Sequence, residues 1–382
     1  MSIWGTLSNA SPFYLTVGAS TIGRKYTAEF TLGDGTTFTG YSLGGTTATA
    51  SPLPLMLAGS AASPPEATGA ASTCDPEYVD ATKVAGKFLV CIVTEWVHRE
   101  WSYDAVLMWA DTLGAAAILV ISEAAEYDAV PIFSYSKTPS IVPTATLSAF
   151  TVSHSSNAPQ LAYFSSTGPP RSPLYPPALL MRDFPTNDIL KPDVIGPGYQ
   201  LWAAAPGKSL ETAATDPPEF NYYSGTSMST PHLAGIMALI VQNKPSWSPS
   251  QVISAITTTA YTRNENGQLI QRANGKKANA WDYGGGHVDP TRVLDPGLTF
   301  HAAHKHFVNF LMMRDPIRTK KRFWRMGKAH PIFPWNLNRA SIAVTRLHGV
   351  TLVYRRVKNV YNLQSTYKAK VDPPPGFNCA SW

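Results

Sequence analysis

The stretch that most constrains this chain runs from residue 221 to residue 240 and has the sequence NYYSGTSMSTPHLAGIMALI. A run of small residues leads into apolar residues at helical spacing, which predicts a helix with one buried face. These apolar residues are Leu233, Ile236, Met237, Ile240 and Val241. Pro231 lies in the first turn, where proline is tolerated, and Lys244 and Pro245 mark the predicted helix end.

Ser227 lies where this helix begins. A hydroxyl there is close to unpaired backbone N–H groups and to the positive end of the helix dipole, which would stabilise negative charge developing on a substrate oxygen. Serine and threonine also cap helices without any catalytic role. Position alone favours a cap for Ser227 or Thr226, so the surrounding residues have to decide.

Residues 225–232, GTSMSTPH, resemble the nucleophile signature of subtilisin-like serine proteases. The resemblance implies that Ser227 is the catalytic serine, which forms an acyl-enzyme during peptide-bond hydrolysis of a protein or peptide substrate. It also implies that His232 is a structural residue packed on the helix and not the catalytic base.

Composition describes an ordered globular protein of two or three domains. The chain has 382 residues, of which 44% are hydrophobic and 15% charged. A net charge of +6 is too mild to indicate a nucleic-acid partner. No apolar run is long enough to cross a membrane, the first residues do not form a signal peptide, and no cofactor or metal site is predicted.

Residues 1–45 contain segments (SNASP, TVGAST and TLGDG) that resemble the peptidase domain of plant-type, cucumisin-like subtilases. This resemblance predicts the first part of a peptidase domain here, and a hairpin around Gly33-Asp34-Gly35. It implies an extracellular or apoplastic location. Because that family is made with a signal peptide and a propeptide, we expect the chain to be truncated at its start.

Residues 46–150 are predicted to form an inserted unit. Residues 86–93 and 115–121 have the composition of buried strands, residues 103–112 have helical character, and the Ala/Ser/Thr/Pro/Gly-rich residues 46–70 are expected to be an irregular surface segment. The pattern around Cys74 and Cys91 resembles the protease-associated domain of plant subtilases. It implies a Cys74–Cys91 disulfide in an oxidising compartment, protein contacts and a homodimer through this domain; an ordinary α/β subdomain is the alternative.

Residues 151–300 are predicted to complete the peptidase domain. FSSTGP at 164–169 resembles the family's FSSRGP, LKPDVIGPG at 190–198 its LKPDITAPG, and WDYGGGHVDP at 281–290 its FDYGAGHVNP. Asp193 within this region is expected to be structural. Ser248, Pro249 and Gln251 predict a capped helix start.

The remaining residues divide into a basic linker, 301–335, and a truncated fibronectin-III-like domain, 336–382. The linker's basic run, residues 314–328, is more simply a solvated connector than a polyanion site. Residues 340–376 alternate apolar and polar, and RRVKNV at 355–360 resembles the family's RTVTNV.

The base and the carboxylate that a serine nucleophile needs are not evident. The Asp34-Gly35 and His348-Gly349 pairs lie outside the family's motif contexts, and so do His98 and His154. The family's oxyanion segment is also not found. Two hypotheses follow: a subtilisin-like serine endopeptidase represented by its C-terminal portion, or a non-catalytic truncated subtilase that acts as a binding or interaction module.

The predicted fold is therefore α/β. It comprises a partial subtilisin-like parallel sheet with flanking helices, the inserted protease-associated domain and the truncated fibronectin-III-like β-sandwich. On either hypothesis, this chain alone is predicted to be inactive.

Overall fold

The computed structural model describes most, but not all, of the chain. The described residues are 6–41, 48–93, 109, 112–122, 143–149, 151–170, 188–205, 219–314, 332–345, 347–361, 364–373, 376 and 378–379. The described strands are β1 (Val17–Ser20), β2 (Arg24–Leu32), β3 (Thr37–Tyr41), β4 (Leu53–Leu57), β5 (Phe88–Val93), β6 (Ala117–Ser122), β7 (Thr144–Leu147), β8 (Thr151–His154), β9 (Val194–Pro197), β10 (Leu201–Ala205), β11 (Glu219–Tyr223), β12 (Leu298–Phe300) and β13 (Val357–Asn359).

The described α-helices are α1 (Thr68–Ala71), α2 (Ala81–Val84), α3 (Thr226–Asn243), α4 (Pro249–Thr259), α5 (Ala280–Tyr283) and α6 (His304–Arg314). Short 3-10 helices cover Ala58–Ala61, Pro65–Ala67 and Pro334–Asn336. None of the helices described is both long enough and apolar enough to cross a lipid bilayer.

A mixed sheet holds the strands between residues 24 and 154. Its order is β3-β2-β7-β4-β5-β6, with β8 also paired to β2. Strands β4, β5 and β6 run parallel to one another, and the other pairs are antiparallel. Side chains of β5 alternate between two cores, as the pleat requires, so β5 is buried on both faces.

The strands predicted at 86–93 and 115–121 are confirmed as the parallel pair β5 and β6, and the hairpin near Asp34 is confirmed as the β2–β3 connection. The predicted helix at 103–112 lies outside the described residues except for Trp109 and Thr112. Strands β2, β3 and β8 lie outside the predicted range 46–150, yet they belong to this sheet.

The prediction of an irregular surface segment at 46–70 is wrong. This range contains β4, and the Ala58 and Ala61 side chains are completely buried. Small residues are common in exposed segments, but here they allow the short helices after β4 to lie close to the sheet.

A second body is organised around the parallel pair β1–β9. Val17 pairs with Val194, and Ser20 pairs with Pro197. Helix α3 packs on these strands, α4 packs on α3 and β12, and the two helices share a core that includes Val194, Leu233 and Ile256. The segment after α5 extends the pairing, because His287 forms a parallel bridge with Ile195.

Helix α3 follows its predicted range, and its predicted inner face is confirmed in part. Leu233 and Ile240 are buried, and Ile236 and Met237 are half-buried. Val241 is 50% exposed, contrary to the prediction, because it lies a third of a turn beyond Ile240 and leaves the buried face.

The C-terminal region, residues 336–382, is described only in part. In the part of 336–382 that the structure describes, β13 is a strand, and it pairs with β12 of the peptidase body. Apolar residues of the alternating pattern lie in solvent instead: Val350 is 90% exposed and Leu352 is 58% exposed. Alternation predicts strands only where a facing sheet covers the apolar side.

Candidate active site

The start of helix α3 is fixed against the carboxyl end of β9 by backbone and hydroxyl contacts. Gly225 N donates to Gly198 O at 2.8 Å, and Ser229 Oγ donates to Gly196 O at 3.0 Å. Just before Gly225, Ser224 Oγ accepts a hydrogen bond from Gln200 N at 2.9 Å. The loop that enters the helix is therefore tied to the strand at three successive points.

Gly198 is the residue that allows this close approach. A Cβ at this position would overlap Ser229 Oγ and would lie 2.7 Å from Ala19 Cβ. A side chain here would push the helix start away from both strands. Gly198, directly after β9, therefore allows the start of α3 to pack against β1 and β9.

Ser227 lies in the first turn of α3, and its side chain is exposed. Its hydroxyl forms no hydrogen bond with any residue that the structure describes. Backbone N–H groups at a helix start have no intrahelical acceptor, so the local field favours negative charge. The geometry presents a hydroxyl to solvent beside groups that could stabilise an oxyanion.

The histidines that the structure describes near this part of the chain are engaged elsewhere. His232 Nδ1 donates to Met228 O at 2.8 Å, which fits the structural role implied by the sequence. His154 Nε2 lies 2.6 Å from Glu265 Oε2. His98 lies outside the described residues. A base for Ser227 is therefore not found among the described side chains.

His287 is a buried histidine that sequence analysis did not single out. Burial lowers its pKa to about 4, although a hydrogen bond to the Val288 carbonyl and the charge of Asp289 oppose this shift. Nδ1 donates to Val288 O at 2.9 Å. His287 is therefore neutral at pH 7 and helps to join the segment after α5 to β9.

Asp193 is a structural residue, as expected, and it joins three distant segments. Its Oδ2 accepts from Lys191 Nζ at 2.6 Å and from Thr16 N at 2.7 Å, and its Oδ1 pairs with Arg339. Burial alone would raise the pKa of Asp193, but the attraction of Arg339 and then Lys191 outweighs it and holds that pKa below its usual value. The partner Arg339 is 146 residues away, and no local sequence signal predicts it.

A disulfide joins Cys74 to Cys91 in the structure, with a Cα–Cα distance of 5.4 Å. Both cysteines are completely buried in the core on one face of the mixed sheet. Cys379 is a free, exposed thiol. Within the described ranges, no group of three or more His, Cys, Asp or Glu side chains is placed to hold a metal ion.

Comparison with known proteins gives a consistent family. The subtilase family model matches residues 100–286. The chain is 32% identical to the CO(2)-response secreted protease of Arabidopsis thaliana, over 98% of this chain and 51% of that protein. It is also 32% identical to subtilisin-like serine-protease S of Lotus japonicus, over 97% of this chain and 49% of that protein.

The chain thus spans about half the length of the curated relatives it matches. Among solved structures, fervidolysin from Fervidobacterium pennivorans, a keratinolytic enzyme related to subtilisin, matches with 28% identity. That match covers 27% of this chain and 15% of fervidolysin with a TM-score of 0.20, so no fold argument rests on it. The sequence matches identify the family: the chain belongs to the subtilases, and the relatives it matches are plant subtilisin-like proteases.

Proposed function

We propose that this chain carries the nucleophile of a subtilisin-like serine endopeptidase, Ser227, which forms the acyl-enzyme on a protein or peptide substrate. The observation that supports this role is the exposed hydroxyl in the first turn of α3, on a helix start tied to β9. The backbone N–H groups at the start of that turn would stabilise negative charge on the attacked carbonyl oxygen, except that of Met228, which donates to Gly225 O at 3.0 Å.

The reaction also needs a base that takes the proton from Ser227 and later delivers it to the leaving amine. No motif of the sequence and no contact among the described residues provides this base. In subtilisin itself, a member of this family, loss of the histidine or the serine lowers turnover by about 10⁶-fold. We therefore propose that residues 1–382 alone do not hydrolyse peptides.

A non-catalytic binding module is the second candidate. It is favoured by the apolar side chains that α3 exposes on its outer face, since Leu239 is 57% and Val241 is 50% exposed. Such a surface fits contact with another protein segment. In this alternative Ser227 is only a first-turn residue of a helix that packs on β1 and β9.

The domain assignments are also proposals. The mixed sheet supports a protease-associated insert, and because β2 pairs with β8 we place its limits near residues 24 and 154 instead of 46 and 150. The family supports an extracellular location, a fibronectin-III-like character for 336–382, a connecting role for 301–335 and a homodimer through the insert. The two parts of the peptidase body, before and after the insert, meet in the β1–β9 pair.

The experiment expresses residues 1–382 and the variant Ser227→Ala, and incubates each with a fluorophosphonate probe and a mixed peptide library. We expect neither labelling nor cleavage for either protein. Labelling that disappears in Ser227→Ala would contradict the proposed inactivity and would show that a base does reach Ser227.

A complementation arm tests the catalytic proposal directly. The part of the Lotus japonicus relative that residues 1–382 do not cover is co-expressed with residues 1–382. The endopeptidase proposal predicts fluorophosphonate labelling on Ser227 in the co-purified pair and none with Ser227→Ala. A stable, co-purifying pair that stays unlabelled would favour the binding module.

A further inference from the structure

A cavity of about 410 Å³ lies on the side of the peptidase body away from Ser227. It is bounded by the first residues of α4, the first turn of α6 and residues 338–341. Asp193 is among its lining residues and precedes β9, whereas the Ser227 helix is tied to Gly198 beyond the other end of β9. The cavity and the candidate nucleophile therefore occupy opposite ends of the same strand.

The walls of this cavity are largely apolar. Phe13, Ile253, Phe300 and Phe307 line it, and the rings of Phe13 and Phe307 have centroids 5.4 Å apart. Both its volume and its aromatic lining fall within the range of small-molecule sites in proteins. Such walls suit a ligand with an apolar body.

Arg339 is the charged group that borders the cavity with unused donors. Its side chain is only 10% exposed, and it donates from Nη1 to Pro12 O at 2.6 Å and from Nη2 to Asp193. A guanidinium has five N–H donors. The described residues accept from two of them, so the buried fork can still receive an anionic oxygen.

Among the described residues around the guanidinium of Arg339, positive charge exceeds negative charge. Lys191 and Arg339 share the single carboxylate of Asp193, whose two oxygens are both engaged. Burial lowers the pKa of Lys191 to about 8, and the charge of Arg339 adds to that shift while Asp193 opposes it. Burial and then the charge of Arg339 also lower the pKa of Arg355 to about 10.

Arg355 brings no second carboxylate to this site among the described residues, because its N–H groups donate to backbone carbonyls such as those of Arg339, Trp335 and Ser341. The amino end of α4, an 11-residue helix, adds the positive end of its dipole to the same cavity. Ser248 and His301 also line it and are hydrogen-bonded to each other at 2.8 Å.

We propose that this cavity binds a small organic carboxylate, with the acid group on the guanidinium of Arg339 and the apolar body against Phe13 and Phe307. A carboxylate would accept from the remaining donors of Arg339 and offset the excess positive charge. The aromatic walls favour an acid with an apolar body over a hydrated inorganic anion. This ligand site is independent of the proposed activity at Ser227.

The test uses isothermal titration calorimetry on residues 1–382 at pH 7 with three probes. Sodium phenylacetate has both the acid and the ring, phenylacetamide has the ring without the charge, and sodium acetate has the charge without the ring. We expect saturable binding of phenylacetate, with a Kd of about 1 mM or lower for a ligand of this size, and at least about tenfold weaker binding of the other two.

Two variants change the site in different ways, and each has a matched control. Arg339→Lys keeps a positive charge beside Asp193 but removes the guanidinium, and its control is Arg24→Lys. Ala340→Phe fills the cavity without changing its charge, and its control is Ala50→Phe; both control positions are exposed. We expect each site variant to weaken phenylacetate binding at least about tenfold and the controls to bind as the parent does. Circular dichroism melting verifies that each variant is folded.

Failure of the parent chain to bind phenylacetate would overturn the proposal. So would equal affinity for phenylacetate and phenylacetamide, or unchanged affinity in the folded Ala340→Phe variant. Because calorimetry does not depend on catalysis, these results are independent of whether Ser227 is labelled by a fluorophosphonate.

Discussion

At the scale of single residues, His287 has the clearest consequence for stability. Its pKa is about 4 in the folded chain because the ring is buried, against an ordinary value of 6.5. Between these two pH values the unfolded chain binds a proton that the folded chain does not. The free energy of unfolding should therefore fall as the pH is lowered from 6.5 towards 4.

We predict that His287→Gln removes most of this acid sensitivity. The shift of His287 corresponds to about 3 kcal/mol, which the parent chain should lose between pH 7 and pH 4 in addition to other groups' contributions. Urea unfolding at several pH values measures it. His154→Gln is the matched control, because His154 is 66% exposed; if it flattened the pH profile as much as His287→Gln does, the assignment to His287 would be wrong.

Residue-level predictions from the sequence depended on whether the signal was local. The string around Ser227 predicted the nucleophile candidate and the helix that presents it, and the pattern around Asp193 indicated a structural residue. The partner Arg339 could not be predicted, because the ion pair with Asp193 spans 146 residues and depends on how the C-terminal segment folds back. The neutral state of His287 likewise follows from tertiary burial and not from its neighbours in sequence.

At the scale of elements, the position of α3 depends on glycine in the segment after β9. We predict that Gly198→Ala destabilises the chain by about 1–3 kcal/mol, because the added methyl group would overlap Ser229 Oγ and crowd Ala19. The displaced helix start should also lower fluorophosphonate labelling in the complemented pair. Thermal unfolding and labelling measure the two effects.

Gly235→Ala is the control for this prediction. Gly235 lies within α3, and a Cβ there would meet nothing within 4 Å. Because alanine is the better helix former, this variant should be more stable by about 1 kcal/mol. If Gly198→Ala and Gly235→Ala changed the stability of the chain equally, the contact of Gly198 with the start of α3 would not control the position of that helix.

Elements with local signals were predicted well, and those that need a distant partner were not. The capping box that begins α4 is present as predicted, because Ser248 and Gln251 hydrogen-bond to each other within one turn and Pro249 occupies the start of the helix. The alternating residues of 340–356 gave the same local signal as strands. Their apolar side chains remain exposed, however, because strand formation also needs a facing sheet.

At the scale of the whole molecule, the structure contains two bodies with separate cores. The mixed sheet has one core on each face, around Leu89 on one side and Phe88 on the other. In the other body, α3 and α4 share the core around Val194 and Ile256 with β1 and β9. Local sequence patterns predicted both units. They did not predict that β2 and β8, at either end of the insert, pair with each other and close it.

The Cys74–Cys91 disulfide lies wholly within the first body and provides a test of this division. Replacing both cysteines by serine removes a cross-link over a sequence separation of 17, which should lower the stability of the sheet by about 3 kcal/mol in the chain-entropy model. We predict that amide exchange accelerates in β2, β4, β5 and β7, while α3 and α4 exchange as in the parent chain.

Hydrogen exchange followed by mass spectrometry measures this prediction on the full chain, and Cys379→Ser, at the exposed free thiol, is the matched control. Limited proteolysis of the parent chain should agree, leaving a resistant unit that starts before Arg24 instead of near residue 46, because β2 is an internal strand of the sheet. If the double variant accelerated exchange equally in α3 and α4, the two bodies would unfold as one cooperative unit. A resistant unit that lacked β2 would instead support the limit of the insert near residue 46 that the sequence predicts.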